Sequence, residues 1–102
     1  MEVGGLIYVR IHKAADDIIL AACDEEVLGK TFTGDEMRIT VSERFYNGEL
    51  VSEETFVQRM GSVTIMNLVG ERVIALAMEQ GHVSEDGIFD IGGVKHAQVV
   101  KL

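Results

Sequence analysis

The stretch DIGGVKHAQVV, residues 90–100, restricts the fold more than any other part of this 102-residue chain. Gly92–Gly93 can serve as a two-residue hairpin loop, because the tight turns between antiparallel strands need positive φ, which glycine reaches without steric cost. Residues 88–91 and 94–101 then pair as strands. The register follows: Ile91 faces Val94, Asp90 faces Lys95, Phe89 faces His96, and Ile88 faces Ala97. Asp90 and Lys95 become a cross-strand ion pair on one face, while Ile91, Val94, Phe89 and His96 share the other. A slip of one residue destroys both groupings. His96 and Gln98 therefore lie with Phe89, Val94, Val100 and Leu102, the better candidate for the core face. Two readings of this pair stay open. They are polar groups satisfied inside, with His96 stacked on Phe89, or a solvent-reachable site at the sheet end.

Further upstream, residues 5–13 alternate. Ile7, Val9 and Ile11 face one way and Tyr8, Arg10 and His12 the other, which describes a half-buried strand. Residues 13–16 turn the chain. DIILAAC, residues 17–23, is apolar on both faces and suits a central covered strand or a short buried segment. DEEVLGK follows as one helical turn, with Asp24 accepting from its freed amides and Gly29 closing it. In residues 36–41 Met37, Ile39 and Val41 point inward. Ser52 starts a helix: Glu53 and Glu54 fill its first turn, Val51 closes on Phe56, and Gly61 ends it after Met60. A second, longer helix lies within NLVGERVIALAMEQG, opening at Asn67 or as early as Ser62. Val69, Val73, Leu76, Ala77 and Gln80 line one face, and Gly81 is a left-handed stop. Strands at both ends and two helices between them make an α+β domain. The expected arrangement is a two-layer sandwich: a mostly antiparallel sheet, two main helices on one face, and a C-terminal β-hairpin.

Composition narrows the function. Nine basic residues are scattered among seventeen acidic ones, giving a net charge of -8. Phosphate backbones are held by clustered Lys and Arg, so non-specific nucleic-acid binding is disfavoured, and the surplus carboxylates serve solubility. No apolar run is long enough to span a bilayer, and the start lacks a secretory pattern, so no membrane partner is expected. A single cysteine cannot form an internal disulfide, which places the chain in a reducing cytoplasm. No linker or repeat divides it, so residues 1–102 read as one domain.

Chemical motifs are few. Cys23, His12, His82 and His96 stand alone, without the spacing of a zinc site. Cys23, at the end of an apolar strand, reads as an inert core thiol. GGVKH joins two strands, whereas phosphate-cradling glycine loops lead into helices. NLVGER is the better anion candidate: Asn67 and Gly70 stand near a helix start, where backbone amides can approach a ligand, with Arg72 one turn in. The alternative is that Gly70 permits close packing and Arg72 pairs with an acid. In VSERFYNGEL, Phe45 reads as a core plug, whereas Arg44 and Tyr46 are contact residues of the kind interfaces use.

Taken together, CDEEVLGKTF, VSERFYNGELV, NLVGERVIALAMEQG and DGIFDIGGVKHAQVVKL resemble the archaeal domain of unknown function 424 family, over nearly the whole chain. IGGVKHAQVV and LVGER are the most specific parts. Lys95 stands where the family more often has proline, a change without consequence for the chemistry considered. The resemblance implies a compact two-layer α+β fold, an archaeal cytoplasmic setting and a loose association with translation or RNA. It implies no activity, cofactor or catalytic residue. The leading expectation is a binding or adaptor module that meets RNA or a translation-related complex through a local patch: Arg44, Tyr46, Asn67, Gly70, Arg72, His96 and Gln98. No cofactor, metal or catalytic residue is assigned. The alternatives are a small enzyme using His96 as acid or base, and a complex subunit whose exposed hairpin edge pairs with a partner.

Overall fold

A strand apolar on both faces must be covered on both, and DIILAAC accordingly forms the interior of β2 (Asp17–Asp24), two strands in from one edge of the main sheet. The structure, a computed structural model, describes residues 5–101. β1 (Ile7–Ala14) pairs antiparallel with β2 along its whole length. After β2 come a 3-10 turn (Glu25–Val27), the small hairpin β3 (Thr31–Thr33) and β4 (Arg38–Thr40), and the one-turn helix α1 (Glu43–Tyr46). β5 (Glu49–Val51) returns to the outer edge of β1, and α2 (Glu53–Met60) follows. β6 (Ile65–Val69) pairs parallel with β2, and α3 (Glu71–Glu79) packs back over the sheet. A second 3-10 turn (Glu85–Gly87) leads to β7 (Phe89–Ile91) and β8 (Val94–Val100). The main sheet has the order β5-β1-β2-β6-β8-β7, and β2–β6 is its one parallel neighbour pair.

The α+β class holds, as does the placement of both main helices on one face. Phe56 and Met60 of α2 and Val73, Ile74 and Ala77 of α3 pack onto Ile7, Val9, Leu20, Ala22, Met66, Leu68 and Ala97 in one core. Each large side chain buried there contributes about 1.5–3 kcal/mol. The other face carries a second cluster. Ala21, Cys23, Val69 and Val94 lie under Val27, Val41, Tyr46 and the half-buried Phe32, Ile39 and Phe45. The β3–β4 hairpin and α1 thus add a partial third layer beyond the two expected.

α2 begins and ends as its sequence specifies: the Ser52 hydroxyl accepts from the Thr55 amide at 3.2 Å, and Gly61 follows Met60. The helix expected from Asn67 or Ser62 needs correction. Residues 65–69 are β6, and only residues 71–79 are helical. Ile65, Met66, Leu68 and Val69 are all apolar, so the sequence lacks the apolar–polar alternation that would have separated the strand from the following helix. Gly70 divides the two, at φ 125°. Met37, expected inward, is 47% exposed. The hairpin register is as expected for Phe89 with His96, Asp90 with Lys95 and Ile91 with Val94, but the expected Ile88–Ala97 pair is not formed, because Ile88 closes the second 3-10 turn. The Asp90–Lys95 ion pair is not formed. Lys95 Nζ reaches Glu71 Oε2 at 3.4 Å, and Asp90 Oδ1 instead accepts from the Gly93 amide at 3.0 Å.

One polar contact joins the sheet to the helix layer. Asp24, 2% exposed at the end of β2, makes no side-chain cap to its own 3-10 turn. Its carboxylate accepts from the backbone amides of Arg72, at 2.8 Å, and Val73, at 2.9 Å. Asp24 thus supplies the anionic cap that Gly70, at the helix N-cap, has no side chain to provide. Gly70 must be glycine twice over: its φ is positive, and a Cβ would collide with the Asp24 carboxyl. Asp24→Ala leaves two amides without their acceptor and is expected to cost roughly 2–4 kcal/mol. Gly70→Ala should destabilise comparably by strain. Urea denaturation followed by circular dichroism measures both.

Candidate functional site

The face that lacks the main helices is covered over one end only. Pairing registers order its side chains in rows across the sheet. Tyr8, Cys23, Val69, His96 and Phe89 form the first row, covered at Cys23 and Val69, followed by Arg10, Ala21, Asn67 and Gln98, and then His12, Ile19, Ile65 and Val100. Cover from β3–β4 and α1 lies over the Cys23–Val69 end. Beyond it Arg10, Gln98 and Val100 are exposed and Ile19, Ile65, Asn67 and His12 half-buried. Asn67 and Gln98 are direct cross-strand partners, so two uncharged amides sit side by side among Ile19, Ile65 and Val100.

His12 holds the margin between covered and open halves. Its ring stacks on Phe45 with centroids 4.5 Å apart, and Nε2 lies 2.8 Å from the Phe45 carbonyl oxygen. A carbonyl only accepts, so Nε2 carries the proton and donates. Arg10 fixes the same margin, donating to the Asn47 carbonyl at 3.1 Å. Alternation in β1 had placed Arg10 and His12 on this side, but nothing in their spacing identified Phe45 as their neighbour.

Of the seven candidate residues, Asn67, His96 and Gln98 are together on this face. Arg44 is exposed on α1. Tyr46 is corrected from contact residue to core plug: it is 4% exposed, and burial, followed by the neighbouring Cys23, pushes its phenol up to about 12. Phe45, the expected plug, is only half-buried and stacks on His12. Asn67 stands within β6 and caps no helix. Gly70 and Arg72 lie apart from the patch, on the helix side. The amides of Arg72 and Val73 are occupied by Asp24, an internal anion where an external one was considered. The Arg72 side chain pairs with Glu53, Nε to Oε2 at 3.0 Å.

The chemistry of the buried groups is muted. Cys23 is fully buried, and burial, then the charges of Asp24 and Glu26, pushes its thiol up to about 12, so it is not a nucleophile at neutral pH. Burial likewise raises the Asp24 carboxyl from its ordinary 3.8, against the pull of the two amide bonds. His96 is half-buried, and its Nδ1 is closed to solvent without a hydrogen-bond partner. The carboxylate that would orient an acid–base histidine is therefore not at Nδ1. Phe89, opposite His96, is 51% exposed. Among the described residues no group of three or more His, Cys, Asp or Glu is placed to hold a metal ion, and no helix is long and apolar enough to cross a membrane. On the helix side a shallow groove of about 340 Å³ runs between Met78, Glu85, Ile88, Asp90 and Lys95.

Fold and face together define a small α+β domain with a mixed six-stranded sheet, helices on one face and a half-open second face. Residues 12–102 match the family described as "Protein of unknown function (DUF424)", and the chain belongs to that family. Among solved structures, an uncharacterized conserved protein from Methanopyrus kandleri is similar, with 26% identity and a TM-score of 0.80 over 95% of this chain and 94% of that one. No curated protein matches the chain.

Burial lowers the His96 pKa below the ordinary 6.5, so the unfolded chain holds that proton more tightly than the folded one. Its contribution to stability is therefore present above about pH 6.5 and lost as pH falls through the folded pKa. Denaturation midpoints should fall between about pH 7.5 and about pH 5, and His96→Gln should flatten that slope. His82, shifted the same way by burial and by Lys101, adds to this slope, and His82→Gln isolates its share; Asp24, whose carboxyl burial raises, acts in the opposite sense.

Proposed function

We propose that the domain is a cytoplasmic binding module, in an archaeal setting, whose contact surface is the open half of the helix-free face. The observation that carries this reading is the Asn67–Gln98 amide pair flanked by Ile19, Ile65 and Val100, with Arg10 at the margin. Uncharged amides among aliphatic side chains resemble the centre of a protein–protein contact, where charged groups are depleted and Arg is retained. The contrast with the rest of the chain supports it, since a quarter of all residues are charged.

A protein partner fits this surface better than RNA. Phosphate recognition needs clustered cations, whereas Arg10 is the single Lys or Arg in the two open rows. The patch is narrower than the seven residues first considered. It keeps Asn67 and Gln98, brings in Ile19, Ile65, Val100 and Arg10, and leaves Gly70 and Arg72 to the helix cap.

Capture from native extract by the tagged domain tests the reading. A specific protein should be retained after nuclease treatment and reduced at least tenfold by Gln98→Lys combined with Ile19→Lys, with unchanged circular dichroism. Capture abolished by nuclease would replace the protein partner with RNA, and capture insensitive to both substitutions would remove this face from the reading.

A further inference from the structure

The groove on the helix side is separate from the open face and has a chemistry of its own. α3 packs on β2, β6 and β8. Between it and the β7–β8 hairpin lies a recess of about 340 Å³, lined by Met78 of α3, Glu85 of the second 3-10 turn, Ile88, Asp90 of β7 and Lys95 of β8. That volume is at the small end of what ligand-holding clefts enclose. Met78 and Ile88 are its apolar part: Met78 is 37% exposed, and Ile88 is half-buried against the main core.

The charges around this apolar part do not balance. Lys95 stands opposite Asp90 in the hairpin, yet its ammonium turns to Glu71 on α3, at 3.4 Å. Asp90 is left without a cation, and only its Oδ1 is engaged, by the Gly93 amide at 3.0 Å. Glu85 has no cation either. The ion pairs among the described residues are Arg59–Glu49, Arg72–Glu53 and Lys95–Glu71, and neither groove acid takes part. Two uncompensated carboxylates, from two different elements, thus share one recess with a methionine and an isoleucine.

We infer that this groove is a docking site for an arginine side chain of a protein partner. The aliphatic stem lies on Met78 and Ile88, as long cationic side chains lie along apolar surface while the charged head stays polar. The guanidinium donates to the carboxylates of Asp90 and Glu85. Arginine fits better than lysine for two reasons. Its planar fork of donors can serve two carboxylates at once, and it is less strongly hydrated, so leaving water costs it less. Methionine adapts its shape to such a stem. At longer range the chain's net charge of -8 draws a basic segment toward it. The site lies on the helix side, so the inference does not rest on the partner proposed for the open face.

Titration of the intact chain with the blocked peptide acetyl-Ala-Arg-Ala-amide at low salt, followed by amide chemical shifts, tests the site. Saturable shifts should gather at the groove residues with a Kd of about 1 mM, the strength expected of one side chain. The same peptide with citrulline for arginine keeps the shape and loses the charge, and should bind roughly tenfold more weakly. Glu85→Gln with Asp90→Asn should weaken the arginine peptide to the same degree with unchanged circular dichroism, since the substituted side chain at position 90 can still accept from the Gly93 amide. Shifts that fail to saturate, or that spread evenly over the acidic surface, overturn the proposal. So does equal binding of the citrulline peptide, or an affinity that the double substitution leaves unchanged. Spermidine binding the groove more tightly than the arginine peptide would also overturn it, by putting a free polyamine in place of a protein side chain.

Discussion

The Asp24 carboxylate is the joint on which the two layers depend. It ends the central strand, is nearly closed to water, and accepts from two free amides in the first turn of α3. Because the anion comes from the sheet and the donors from the helix, each element satisfies a polar group the other could not leave bare. The contact also fixes Gly70, whose missing side chain is the space the carboxylate fills. Around it, Arg72 turns to Glu53 on α2, so the starts of both main helices are linked through neighbouring residues of one turn.

What could be read from the sequence depended on how locally each feature was encoded. The hairpin register, the limits of α2 and the alternation of β1 rest on neighbours within a few residues, and the structure shows all three. β6 was not legible as a strand because its residues are apolar except Asn67 and it runs straight into a helical pattern. Its only punctuation is Gly70, read as part of the helix start. Asp24 looked like a cap for the turn that follows it. Its actual donors, Arg72 and Val73, lie 48 and 49 residues away, beyond any local pattern.

The contact surface divided along the same line. Asn67, His96 and Gln98 share a face because strand register puts them there, although Asn67 had been placed in a helix. Tyr46 and Phe45 exchanged roles because one turn of helix decides which ring points to the sheet, and residues 43–46 are too short for a periodic signal. The outward-facing polar row becomes visible only once four strands are set side by side. Individually Arg10, Asn67 and Gln98 are ordinary residues of half-buried strands.

Cys23 has a practical consequence of its own. The single thiol of the chain lies in the core beneath α1 and the β3–β4 hairpin, held protonated by burial and by the adjacent acids. A thiol reagent can reach it only when that cover lifts or the sheet opens. The labelling rate at Cys23 is thus a native gauge of opening frequency, obtained without adding a probe.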